Sequence, residues 1–130
     1  TFCERLALDL GFGGPKARLA HLKKQLENTA RAIVDIRVHT EGMTEAQVRE
    51  FVTREAFQGE QLARNMWMRT LTTAPQITSY FLGYDQVNGL YQDVRAARGA
   101  SFSLRRFMDG MMEMGPVPVS EYRRRFLARR

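Results

Sequence analysis

The sequence predicts an all-α chain of six or seven helices joined by short connections. Three observations point there. Apolar residues recur at spacings of three and four and never alternate over a strand-length run. Glycine, proline and Ser/Thr residues stand at the ends of those periodic runs, where helices are capped and stopped. The polar stretches between runs are only a few residues long, as helical folds with short connections require.

Residues 2 to 10 read as a short apolar helix, ended by Gly11, Gly13 and Gly14. Pro15 suits a first helical position, and a long helix follows to about Glu41. Its apolar stripe is Leu19, Leu22, Leu26, Ala30 and Ile33, with Val34 and Val38 beside it. Gly42 is placed to end it as a C-terminal cap. Thr44 caps the next helix, Gln47 completes a capping box, and Met43 can staple onto Val48. That helix turns Val48, Phe51, Val52 and Ala56 inward, falters near Gly59, and resumes through Leu62, Met66 and Leu71.

Pro75 opens another helix, with Ile77, Tyr80, Phe81, Tyr84, Val87, Leu90, Tyr91 and Val94 on one broad face. Gly99 ends it. Ser103 caps a shorter helix, with Phe102 stapled to Phe107, and Gly115 closes it. PVPV is an extended connector, and Pro118 or Ser120 starts the terminal arginine-rich helix.

At 130 residues, 44% of them hydrophobic and 26% charged, the chain is one helical domain or a fragment of one, with a single core. No apolar run of about 18 residues is present, so no membrane span is expected. No signal peptide is visible, and Thr1 rather than Met suggests a chain that begins inside a longer gene product. The compartment, cytoplasmic or exported, stays open. A single cysteine, Cys3, excludes an internal disulfide and any multi-cysteine zinc site. The net charge of +6 belongs to a tail. Residues 123 to 130 hold five arginines and no acid, and without them 15 basic residues face 14 acidic ones. A nucleic-acid partner is therefore not expected of the body.

No complete catalytic centre is readable. His21 and His39 lie on one helix, eighteen residues or roughly 27 Å apart, so they cannot share a metal. H-E-x-x-H, a phosphate loop and a nucleophile elbow are all missing from the sequence. What remains are supporting parts. Arg31, Asp35 and His39 stand at successive spacings of four, so Asp35 can orient the His39 imidazole and Arg31 can pair with Asp35. The same spacing fits an ordinary ion-pair ladder on a solvated face. Against that, the flanking Ile33, Val34, Ile36 and Val38 argue for a buried helix, where such a line must be mutually satisfied.

Tyr80 and Tyr84 are one turn apart in QITSYFLGYDQV, with Gly83 between them leaving room for close approach to the backbone. A tyrosine hydroxyl can donate to a developing oxyanion, and both rings also fit as core aromatics. The segment YRRRFLARR reads as a solvated amphipathic helix or as a docking element.

The ordered set TFCERLALDLGF, RAIVDIRVHTEGMTEAQVREFV, Q-x-x-x-Y-x-x-G and G-x-x-FSLRRFMDGMMEMGPVPV resembles the C-terminal part of a bacterial family. That family is catalogued as domain of unknown function 885, whose members look like gluzincin-type zinc metallopeptidases. Its pattern R-x-x-x-D-x-x-x-H-x-x-G-[WM]-[ST] is matched by Arg31, Asp35, His39, Gly42, Met43 and Thr44. The resemblance implies that the zinc ligands and the general-base glutamate lie in a part preceding Thr1. This chain would then wall an active-site cleft and be inactive alone.

It further implies His39 and Tyr80 as catalytic residues, with Arg31, Asp35, Gly83 and Tyr84 behind them or contacting a peptide substrate. No metal ligand is assigned here, and zinc is implied only for the full-length protein. Met108 stands where a family histidine often occurs, which puts that histidine's role in doubt. The implied partners are a peptide and the zinc-binding part. A wall without its other half would expose apolar surface and could self-associate. The alternative is a non-enzymatic helical interaction module that docks through its arginine-rich end.

Overall fold

A computed structural model describes residues 2–128. Among them are seven α-helices and no strand: α1 Phe2–Asp9, α2 Pro15–Glu41, α3 Glu45–Arg54, α4 Glu60–Thr73, α5 Ser79–Arg98, α6 Leu104–Met114 and α7 Val119–Leu127. Short 3-10 turns occupy Gln76–Thr78 and Gly99–Ser101. Arg129 and Arg130, part of the basic tail, lie outside the described residues.

The local signals act as their chemistry dictates. Gly42 takes the left-handed conformation at φ 70°, and its N–H and that of Met43 both donate to the Arg37 carbonyl, stopping α2. At the start of α3 the Thr44 N–H donates to Gln47 Oε1 at 2.9 Å, and the Gln47 N–H donates back to Thr44 Oγ1. Ser103 caps α6 through the Arg106 N–H, and Gly115 closes it.

The chain forms two compact units, residues 1–84 and 85–130. In the first, α2 packs on α1, on α4 and on the Gln76–Thr78 turn, and α3 pairs with α4. Its core is Ala30, Val34, Met43, Val48, Val52, Ala56, Ala63 and Met66, with Leu26, Val38, Phe51 and Trp67 against it. Met43 and Val48 are both in that core, so the staple at the α2–α3 corner is hydrophobic. In the second unit, aromatic rings pack beside the buried Leu90 and Val94. Tyr91 meets Phe102 and Phe107 with ring centroids 5.5 and 5.7 Å apart, and Phe107 meets Phe126 at 5.1 Å. Tyr122 donates its hydroxyl to the Gly115 carbonyl.

Several residues assigned to inner faces are outside. Leu19 and Leu22 are 68% and 63% exposed, since α1 meets α2 at Arg18 and His21. Ile36, Leu71 and Phe81 are exposed too, so α2 is not apolar-buried all round near His39. The broad face of α5 is buried only from Leu90 onward. Cys3 is exposed.

Candidate functional site

The middle of α2 buries three polar side chains, Glu27, Asn28 and Asp35, amid Ala30, Ala32 and Val34. Buried polar groups persist only where they are paired, so their partners define the site. Asp35 is 4% exposed. Its Oδ2 accepts a 2.7 Å hydrogen bond from Thr78 Oγ1, in the turn that leads into α5. Its Oδ1 makes no hydrogen bond to a described residue, and His39 Nδ1 lies 3.3 Å from it.

His39 lies one turn on and is exposed. Its Nδ1 is 2.7 Å from the main-chain carbonyl oxygen of Asp35, closer than it is to the carboxylate. A carbonyl can only accept, so Nδ1 carries the proton in this contact. In the neutral ring Nε2 is then left with its lone pair.

Arg31 does not reach Asp35. It turns back one helical turn, where Nη2 meets Glu27 Oε1 at 2.5 Å and Nη1 faces Asn28 Oδ1 at 3.5 Å. Lys24 reaches both oxygens of Glu27 at 3.1 Å, so two cations share one carboxylate. The Arg31 guanidinium also lies 5.9 Å from the centre of the Tyr80 ring, a cation–π distance.

Tyr80 is 42% exposed, and its hydroxyl makes no hydrogen bond to another described residue. Tyr84 is half-buried and likewise has no hydroxyl partner there. Gly83 is exposed, and a Cβ built on it would meet nothing within 4 Å. The ladder expected along one helix face is thus two clusters. One is Asp35–His39–Thr78, and the other is Lys24–Glu27–Arg31 under Tyr80.

Thr78 and Glu27 escaped the sequence reading. Glu27 was available from its spacing of four before Arg31. Thr78, 43 residues from Asp35, had no local signal.

Among the described residues no group of three or more His, Cys, Asp or Glu side chains comes together that could hold a metal.

Residues 1–125 match the family described as "Bacterial protein of unknown function (DUF885)". The chain belongs to this family. It is also similar to a solved structure from Shewanella oneidensis, described as that of a candidate lipoprotein of unknown function. The two share 30% identity with a TM-score of 0.88, over 95% of this chain. The family chain spans only 23% of the length of that structure's chain. No curated protein matches it.

Proposed function

We propose that this DUF885 chain is the C-terminal helical part of a zinc-dependent, gluzincin-like peptidase, walling the active-site cleft and inactive alone. The observation that carries the reading is the His39 imidazole. Its Nδ1–H is committed to the Asp35 carbonyl, a buried carboxylate stands beside it, and the ring itself is exposed. Such a ring presents Nε2 in a fixed tautomer, as a group that must accept or hold a proton beside a substrate needs.

Tyr80 is the second element. Its unengaged hydroxyl would donate to a carbonyl oxygen as negative charge develops, and Arg31 beneath the ring holds its orientation. Gly83 leaves the α5 backbone open for an extended peptide alongside, and Tyr84 would flank it. In this reading zinc, its ligands and the general base belong to a separate part of the polypeptide. That part would cover Leu10, Phe12, Leu19 and Leu22, whose exposure supports the presence of a covering surface. Self-association through the same surface is what the chain would do without it. The arginine-rich α7 supports an interaction module less well. Arg123 already pairs with Asp93, and Arg124 with Glu121.

The test is turnover of Tyr80→Phe and His39→Gln in a polypeptide that joins this chain to its zinc-binding part, with zinc content measured in parallel. Tyr80→Phe keeps the ring and loses only the hydroxyl, so turnover should fall about a hundredfold, roughly 3 kcal/mol, with zinc retained. Normal turnover at full zinc occupancy would make Tyr80 a packing residue. Absence of peptide hydrolysis by the zinc-loaded parent protein would remove the peptidase reading.

A further inference from the structure

At Arg31, residues of α2, α4 and the Gln76–Thr78 turn line a notch of about 20 Å³. Arg31, Leu62, Asn65, Met66, Arg69 and Ile77 line it. Its floor is apolar: Met66 and Ile77 are fully covered core residues, and Leu62 is half-buried. Its polar lining consists of donors. Asn65 already accepts at Oδ1 from Gln61 Nε2, 3.2 Å away, which leaves the amide NH2 to give. Arg69 is half-buried, and its guanidinium has neither a hydrogen bond nor an ion pair with any described residue. Arg31 has five N–H donors and spends two of them on Glu27 and Asn28.

The charge does not balance either. Lys24 and Arg31 share a single carboxylate, Glu27, and the Arg69 guanidinium adds a positive charge that no described residue pairs. Asp35 is turned toward Thr78 and His39. Arg69 thus stands with Arg31 and Asn65 over an apolar floor, in a lining that contains no carboxylate.

We propose that this notch is a carboxylate-binding site formed by Arg31, Asn65 and Arg69. Its ligand is a carboxylate attached to an apolar group. A planar carboxylate matches the guanidinium fork bidentately, and the Leu62–Met66–Ile77 floor takes the adjoining apolar carbons. The notch admits the carboxylate head and the carbon next to it, and leaves the rest of the ligand outside. Identifying the ligand as the C-terminus of a peptide that ends in an apolar residue rests on the peptidase reading above. The site itself does not. Arg31 and His39 are eight residues apart on α2, roughly 12 Å along the axis, so an extended peptide held at the notch spans to His39 in about three or four residues.

The test uses the metal-free chain and two probes, N-acetyl-L-leucine and its uncharged amide, followed by NMR titration. The acid should shift amide signals of α4 and of the Gln76–Thr78 turn, and the amide should bind at least about tenfold more weakly. Arg69→Gln should weaken the acid roughly tenfold and leave the amide unchanged, while Arg69→Lys should restore only part of the loss, because it keeps the charge without the fork. Thermal melts confirm that each variant is folded. Equal binding of acid and amide, insensitivity to Arg69→Gln, or tighter binding of inorganic phosphate than of the acid would each overturn the proposal. Because no metal and no turnover enter this measurement, failure here leaves the peptidase reading standing, and loss of turnover there leaves this site standing.

Discussion

Replacing Thr78 with valine removes one hydroxyl and leaves the volume nearly unchanged, so it isolates the bond between Thr78 and Asp35. The acceptor is a carboxylate oxygen on a side chain that is 4% exposed, 2.7 Å from the donor. Hydrogen bonds to charged groups contribute about 1.5–3 kcal/mol. Thr78 is only half-buried, so water recovers part of the loss, and the low end of that range, roughly 1.5–2 kcal/mol, is expected. The penalty arises at Asp35. Its Oδ1 already lacks a hydrogen bond, and without Thr78 neither carboxylate oxygen would accept one from a described residue.

The assay is urea unfolding of Thr78→Val, Asp35→Leu and the double variant, followed by a probe in the first unit. A cycle should show most of the Thr78→Val cost vanishing in the Asp35→Leu background, because the hydroxyl then has no charge to serve. A Thr78→Val loss below about 0.5 kcal/mol, or the same loss in both backgrounds, would refute the account of Asp35 as a carboxylate held by the turn.

Gly42→Ala should destabilise the chain by about 1 kcal/mol, since alanine disfavours φ 70°, whereas Gly83→Ala should stabilise α5 by about 0.5–1 kcal/mol in open space. Paired urea melts of the two variants check the contrast. Met66→Ala should cost roughly 2–3 kcal/mol by opening a cavity in the first unit's core, while Leu22→Ala should change stability by less than about 0.5 kcal/mol, read by the same melts.

His21, whose side chain is 9% exposed, has an imidazole held below its usual 6.5 by burial first, with the Arg5 guanidinium adding to the effect. The unfolded chain therefore binds the proton first, and its contribution to stability is complete above pH 6.5 and declines as pH falls toward the lowered folded value. Going from about pH 7.5 to about pH 5.5 should lower stability more in the parent than in His21→Gln, and equal losses would contradict it.

Helix positions, caps and corners were decided locally. A glycine at φ 70°, a Thr–Gln capping box and a proline at the first position of α2 act within a few residues, so their consequences are visible in the chain itself. The polar line Arg31, Asp35 and His39 on α2 was also visible in the sequence, because polar groups amid apolar helix residues need a reason. Which of them pair was not. Spacing of four offered Arg31 both Glu27 and Asp35, and only the arrival of the Gln76–Thr78 turn, with Thr78 aimed at Asp35, assigned Asp35 elsewhere and left Arg31 to Glu27.

Burial followed the same division. Periodicity marks an apolar stripe, yet whether Leu19 and Leu22 are covered depends on where α1 lies, and it meets α2 at Arg18 and His21. The notch at Arg69 and Asn65 has no sequence signature at all, since its donors converge from two helices thirty or more residues apart. Local hydrogen bonding and backbone geometry are written residue by residue along the chain. Charge pairing and surface coverage are settled by which segments meet in space, and that information exists only once the helices have packed.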